Sequence, residues 1–252
     1  MEAKVTAMVT SYNSEAVIRP CLESLRWADE LIVIDSFSTD LTVKIAQEFA
    51  DKVIQHEYLC YSAQRNWSIP QASHEWVLLI DTDEIVTPEL RDEIQGLLSK
   101  PNGCTGFSVS RKNHIFGKPL KFEADPQIRL FLRDKGRYEN RQVHPRCIID
   151  GKVGSLSNRL LHYGQRDLDQ STRVLMKYAA WDAIQRDREG VRFHFWHLFT
   201  RPLRAFVYRY FIKLQFLNGL EGFFWCSLMA WYFFMTYAHL WQMQKATAAE
   251  GK

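Results

Sequence analysis

The sequence predicts an α/β protein whose sheet starts parallel and becomes mixed, flanked by helices and followed by an amphipathic helical region. Three observations predict it. Over the first hundred residues short apolar runs alternate with helical patterns, and two of the runs end in an acid. From residue 106 to 163 the runs shorten and are broken by Gly117-Lys118-Pro119, Asp134-Lys135-Gly136 and Asp150-Gly151-Lys152, which are hairpin-like turns. Near residue 190 the composition shifts to crowded Phe and Trp.

In chain order, residues 4–9 read as a buried strand, with Asn13 or Ser14 capping a helix to about Leu25. Residues 30–35 (Glu-Leu-Ile-Val-Ile-Asp) are a second buried strand, and Thr39 caps a helix over 40–49 with Asp40 at its positive end. A short strand over 52–55, a helix over 60–69 and a buried strand over 76–80 follow. Thr87-Pro88-Glu89 then opens another helix, with proline at the first position. Strand alternating with helix implies a parallel sheet, in which ligands sit beyond the carboxyl ends of the strands. Further on, residues 169–188 form a helix stopped by Gly190, and aromatic helices cover 202–217 and 222–242.

Composition bounds the function. A chain of 252 residues with 46% hydrophobic content is an ordered globular protein with one core, or a compact catalytic domain with an appendage. A net charge of +3, from 32 basic and 29 acidic residues, gives no field of the kind that marks a nucleic-acid binder, so no nucleic-acid partner is expected. Five scattered cysteines without a Cys-x-x-Cys pair suggest neither a disulfide framework nor a zinc site, and a reducing compartment fits. The N-terminus turns polar too quickly for a signal peptide, which places the expected location in the cytoplasm.

The chemistry-bearing motifs lie at strand ends. Asp81-Thr82-Asp83-Glu84 follows the strand over 76–80, and two carboxylates one residue apart there can divide the work of holding a divalent cation and a ribose. Oxygen ligands suit Mg2+ or Mn2+; a solvated acidic turn is the plain structural alternative. Val33-Ile34-Asp35-Ser36-Phe37-Ser38-Thr39-Asp40 is a second strand ending in an acid, where Asp35 can accept from a pyrimidine N–H. Helix capping explains Thr39 and Asp40 but leaves Asp35 over. Arg65, in Ala63-Gln64-Arg65-Asn66, can meet donor phosphates or form a surface salt bridge.

These motifs, with Thr10-Ser11-Tyr12-Asn13 after the first strand, resemble in order and spacing the family 2 glycosyltransferases of the GT-A fold, a Rossmann-like mixed sheet flanked by helices. The resemblance implies an inverting, metal-dependent transferase that takes a sugar from a nucleotide-diphosphate donor. It implies that Thr10, Tyr12 and Asp35 surround the base, Arg65 lies near the phosphates, and Asp81 and Asp83 lie at the ribose and the metal. Gln127-Ile128-Arg129-Leu130-Phe131, Gln142-Val143-His144, Leu161-His162-Tyr163, Phe216-Leu217-Asn218-Gly219-Leu220-Glu221-Gly222 and Tyr237-Ala238-His239-Leu240-Trp241 look like the branch that includes lipopolysaccharide-core glucosyltransferases acting on heptose. That branch implies UDP-glucose as donor and a lipid-linked glycan as acceptor. One departure matters: where the branch reads Val-His-Glu this chain reads Val143-His144-Pro145, so the natural general base is missing. The candidates left nearby are Glu139, Asp125 and His144, with the two carboxylates favoured.

The expected organisation is a catalytic domain over 1–165, with 1–100 as the donor half and 101–165 as the acceptor half, then a helical region over 166–252. From about residue 192 that region is expected to contact the inner membrane surface. Between Gly190 and Leu220 there is no acid, while Arg192, Arg201, Arg204, Arg209 and Lys213 are basic. Leu203, Phe206, Val207, Tyr210, Phe211, Leu214 and Leu217 share one helical stripe. Residues 222–244 hold no Asp, Glu, Lys or Arg, and their polar side chains and interfacial aromatics favour lying in the interface over crossing the bilayer. Three other functions fit the sequence less well. A haloacid-dehalogenase-type phosphatase needs its acid pair after the first core strand, and a sugar nucleotidyltransferase needs a Gly-rich loop where Thr10-Ser11-Tyr12-Asn13 stands. A degenerate transferase kept as a membrane scaffold would have no need of Asp81 and Asp83.

Overall fold

The structure is a computed structural model that describes residues 3–100, 102–121, 126–141, 145–165 and 167–250. The chain separates into two compact units: Met1–Lys112, Ala124–Asn140 and Pro145–His162 form the first, and Asn113–Glu123, Arg141–His144 and Tyr163–Lys252 the second.

The first unit is built on a sheet whose parallel part is β1 (Val5–Ser11), β2 (Glu30–Asp35), β3 (Lys52–Gln55) and β4 (Trp76–Asp81), ordered β3-β2-β1-β4. Strands paired on both sides and covered on both faces must be apolar throughout, and all six residues of β2 are buried. Alternation along each strand sorts their side chains into two cores. Val5, Ala7, Val9, Leu31, Val33, Trp76, Leu78 and Ile80 face one core together with Ile18, Leu22 and Leu25 of α1 (Ile18–Glu23) and its exit, Ala46 of α2 (Thr42–Ala46), and Leu90, Ile94 and Leu98 of α4 (Pro88–Ser99). Met8, Ile32, Ile34, Val77 and Leu79 face the other, with Ile69 and Ala72 after α3 (Tyr61–Ser68).

Beyond β4 the sheet turns antiparallel. β8 (Pro126–Leu132) pairs with β4 and with β6 (Cys104–Ile115), and the order continues through β11 (Lys152–Gln165) to the two-residue β5 (Glu84–Ile85). β7 (Lys118–Pro119) folds back on β6 across Phe116 and Gly117, both at positive φ as a two-residue hairpin requires. β9 (Gly136–Tyr138) and β10 (Cys147–Ile149) form a separate antiparallel pair.

Several local expectations hold. α4 begins as the sequence indicates, with Thr87 Oγ1 accepting from Leu90 N at 3.3 Å and Pro88 at the first helical position. Others are corrected. Asn13 does not cap α1: it sits at φ 44°, its side-chain oxygen accepts from Thr39 N at 2.9 Å, and the helix starts only at Ile18. Thr39 does not cap α2; Asp40 Oδ1 does the equivalent work, accepting from Thr42 N at 2.9 Å, and the helix spans Thr42–Ala46 rather than 40–49.

In the second unit α5 (Leu168–Arg188) is capped by Asp167, whose side chain accepts from Gln170 N at 2.7 Å, and it ends before Gly190 at φ 78°. Its Ala179 and Ala183 let it pack closely against Tyr232, Tyr237 and Leu240 of α7 (Gly219–Glu250). Asp182, buried between these helices, accepts from the Tyr232 hydroxyl and from Arg186, each at 3.1 Å. The aromatic stretch is not one helix over 202–217. α6 (His197–Val207) starts before Pro202, passes into a π-helical turn over Tyr208–Ile212, and is broken at Leu214, which adopts φ 56°. A 3-10 turn over Gln215–Asn218 then leads into α7, which outruns the expected 222–242 at both ends. Among the described residues no helix is long and apolar enough to cross a membrane.

Candidate functional site

The carboxyl ends of β1, β2 and β4 are adjacent: Ser11 pairs with Asp35, and Thr10 with Asp81. All the donor-site residues expected from the sequence except Arg65 therefore emerge from one edge of the parallel sheet or the turns just beyond it.

Asp81 ends β4, and its carboxylate is held between two guanidinium groups. Arg65, from α3, pairs with Oδ1, and Arg129 Nη2, from β8, donates to Oδ2 at 2.6 Å. Glu84 lies beneath. Its Oε2 accepts from Asp81 N at 3.0 Å, its Oε1 pairs with Arg129, and Arg111 Nη1 approaches to 3.6 Å. Arg65, Arg129 and Glu84 are all buried. Burial alone would push the Asp81 carboxyl up, but Arg129 and Arg65 outweigh it and hold the group far below the usual carboxylate range. Burial dominates at Glu84 and raises it despite Arg129. Breaking one member of such a buried set typically costs about 3–5 kcal/mol, because the remaining charge has no water to turn to.

This geometry corrects two expectations. Arg65 is buried and forms no surface pair, and the Asp81 carboxylate, 26% exposed, is held by Arg65 and Arg129, so a ribose would meet it already clamped. Arg65 Nε and Nη1 and Arg129 Nε, all buried, have no hydrogen-bond partner among the described residues.

Asp83 is at the mouth of the same turn, partly exposed, with His162 Nε2 of β11 at 3.5 Å. β5 fixes that approach, because Glu84 pairs with His162 in the ladder. Burial works against a charged His162, and the Asp83 carboxylate overcomes it, leaving the imidazole above its ordinary value. A hard carboxylate oxygen beside an imidazole nitrogen is a donor pair that fits a divalent cation of the Mn2+ type. Among the described residues no group of three or more His, Cys, Asp or Glu is gathered to hold a metal.

On the other side of the edge, Thr10 is partly exposed and Tyr12 is 60% exposed. Asp35 is fully buried, and its carboxylate accepts from Ser11 Oγ at 3.0 Å and from Ser38 N at 2.8 Å. It organises its own loop. The other members of the α3 motif are also inward-facing: Gln64 bridges His56 and Ser36 at 2.8 and 3.2 Å, and Asn66 pairs with both the N–H and the carbonyl of Tyr138 at 2.7 and 3.0 Å.

Of the three base candidates, Glu139 is partly buried and its Oε2 accepts from Arg146 N at 3.3 Å. Asp125 and His144 lie outside the described residues. Sequence reading assigned no role to Arg129, Glu84 or His162. A signal existed for the first: an arginine between Ile128 and Leu130-Phe131, inside a strand of apolar residues, must find a buried acid. The acid pair follows the inner strand β4 and not the first core strand, which removes the phosphatase reading.

The model of the family described as "Glycosyl transferase family 2" matches residues 6–150. Along 94% of the chain and 92% of its counterpart, the sequence is 30% identical to the lipopolysaccharide core biosynthesis glycosyltransferase LpsC of Rhizobium meliloti. The fold is similar to S. aureus TarS 1-349 in complex with UDP-GlcNAc (TM-score 0.53, 15% identity, 96% of this chain and 92% of that one). It is also similar to the mannosyltransferase PcManGT of Pyrobaculum calidifontis in complex with GDP-Man and Mn2+ (TM-score 0.55, 14% identity, 95% and 87%).

Proposed function

The chain belongs to glycosyl transferase family 2 and is a glycosyltransferase of the GT-A fold; from that premise we propose that it transfers a hexose, glucose from UDP-glucose, with inversion onto a lipid-linked glycan such as lipopolysaccharide core. The observation that carries this reading is the Asp81-Thr82-Asp83-Glu84 turn, with Asp83 and His162 at its mouth and, beneath it, buried Arg65 and Arg129 N–H groups that have no hydrogen-bond partner among the described residues. In the proposal Thr10, Tyr12 and Asp35 form the nucleoside end of the site. Asp83 and His162 would hold Mg2+ or Mn2+, which supplies charge neutralisation for the leaving diphosphate. Asp81, clamped by Arg65 and Arg129, keeps the turn in place and faces the ribose. The acceptor proton goes to a carboxylate, Glu139 or Asp125, or to His144, since Pro145 cannot take it.

The division of labour proposed is 1–165 for catalysis, with donor and acceptor halves meeting near residue 100, and 166–252 for the helical region, its membrane contact beginning near 192. α6 supports that contact. Its Leu198 packs with Ala183, Tyr237 and Leu240, while on the opposite side Trp196, just before the helix, is 71% exposed and Leu203 64%, with Phe199 and Val207 also exposed. Apolar side chains turned outward, with Arg201 and Arg204 on the same helix, suit the boundary of an anionic bilayer, reached from the cytoplasmic side of the inner membrane.

The test is to mix the full chain with UDP-glucose, Mn2+ and core glycolipid from a strain lacking the gene. A glycolipid heavier by one hexose, lost when a chelator is added, is the expected result. Hydrolysis of UDP-glucose without transfer would move the acceptor elsewhere, and inertness toward every nucleotide sugar would leave the scaffold reading.

A further inference from the structure

Beside Tyr12 the sheet edge carries a second exposed ring. Phe37 lies two residues beyond Asp35, in the loop that follows the strand paired with the one that delivers Tyr12, and it is 55% exposed against 60% for Tyr12. Adjacent strands are about 4.8 Å apart, so the two loops are neighbours; Asn13 N donates to Ser38 Oγ at 2.8 Å and Thr39 N to Asn13 Oδ1 at 2.9 Å between them. Phe37 belongs to neither hydrophobic cluster of its unit.

Its backbone is at φ 58°, a region where a bulky side chain is a true outlier and glycine or asparagine would be at ease. The flanking residues hold it there. Ser36 N donates to Ser11 O at 2.9 Å and Ser36 Oγ accepts from Gln64 Nε2 at 3.2 Å. On the other side Ser38 N and Ser38 Oγ donate to the Asp35 carboxylate at 2.8 and 2.5 Å. Strain that survives because its surroundings over-determine it marks a position with a task. A turn that needed only its shape would be served better by glycine, and a ring that needed only burial would not point to solvent.

We propose that Phe37 contacts the donor: with Tyr12 it forms an aromatic seat on which the flat nucleobase of a nucleoside diphosphate stacks, and buried Asp35 is the residue that positions it. The inference rests on the donor reading above. Every base has a π-face, so the seat contributes affinity, and the groups at its rim choose among bases.

The experiment titrates the full chain, with Mn2+ present, with UDP and with GDP by calorimetry, and repeats this for Phe37→Gly and Phe37→Tyr. Wild type should bind one of the two; if it binds neither, the donor reading falls and the seat with it. Phe37→Gly should fold with a Tm no lower than wild type, since glycine accepts the positive φ, and bind the nucleotide about tenfold or more weakly. Phe37→Tyr should restore binding. Inorganic pyrophosphate, which has no base, should compete equally well in Phe37→Gly and wild type. If Phe37→Gly binds nucleotide like wild type, the seat is refuted while the donor reading stands. If pyrophosphate weakens by the same factor as the nucleotide, the ring shapes the loop and does not touch the base.

Discussion

The first unit hides charge and the second displays hydrophobes. Around Asp81 and Glu84 three arginines converge in a buried cluster, whereas along α6 the side chains of Trp196, Phe199, Leu203 and Val207 face outward. Both arrangements invert the ordinary partition of polar and apolar groups. They differ in what each costs: buried charge is expensive in the folded protein and must be matched group by group, while exposed aromatics cost the fold little. Under the function proposed above, the difference teaches what kind of partner each unit is built for. A small charged ligand needs a rigid, pre-charged socket, and an extended apolar surface needs only a face.

The largest expected effect is at the socket's mouth. Asp83→Asn should lower turnover by about a thousandfold or more, about 4 kcal/mol of transition-state stabilisation, and leave Tm nearly unchanged, because Asp83 is partly exposed. Steady-state kinetics with parallel melting curves check it; normal transfer with a chelator present would show that Asp83 holds no metal.

Next comes the charge cluster itself. Arg129→Met should destabilise by about 3–5 kcal/mol by stranding Glu84 and Asp81, and adding Glu84→Leu should recover part of that loss. Denaturant melts of the two single variants and the double variant measure the coupling. Additive losses would mean the cluster is not one electrostatic unit.

Glu30, at the opposite end of β2 from Asp35, is a simpler case. Burial opposes its ionisation, but Lys52 at 2.7 Å and hydrogen bonds from Ser73 and Thr6 bring its pKa down to about 2. A folded-state pKa below the unfolded value near 4.5 gives stability that is complete above about pH 5 and is lost as pH falls toward 2. Glu30→Gln should therefore cost about 2 kcal/mol at pH 7, discounted for the half-exposed Lys52, and nearly nothing near pH 2. Urea melts at both pH values test this.

The smallest effect on the fold is expected on α6. Trp196→Ser with Phe199→Ser should change stability by less than about 0.5 kcal/mol while lowering partition onto anionic vesicles by about tenfold, an attachment that high salt weakens only in part. Vesicle sedimentation decides; unchanged partition would remove α6 as the contact and sharpen the contrast to charge alone.

Much of the fold was legible in the sequence, because β1, β2 and β4 are continuous apolar runs that a doubly covered sheet demands, and Thr87-Pro88 is a local start signal. The acids at the strand ends were legible for the same reason. What escaped was non-local. Nothing near Arg65 says that its partner is Asp81, or that Arg129 reaches the same carboxylate from β8. Asn13 looked like a cap because a cap and a loop-bridging amide use the same side chain, and only the position of Thr39 separates them. The break after α6 turns on Leu214, a residue whose type gives no warning of a positive φ.

The two-residue strand β5 ties Glu84 to His162 and so brings together parts of the chain made far apart in time. During synthesis Asp83 leaves the ribosome long before β11 exists. A nascent chain at that stage carries the acids but not the imidazole that faces them, and the ladder that aligns them cannot close. Completion of the proposed cation site is thus delayed until the last strand of the sheet has docked, and a truncated product should fold part of its sheet without bringing Asp83 and His162 together.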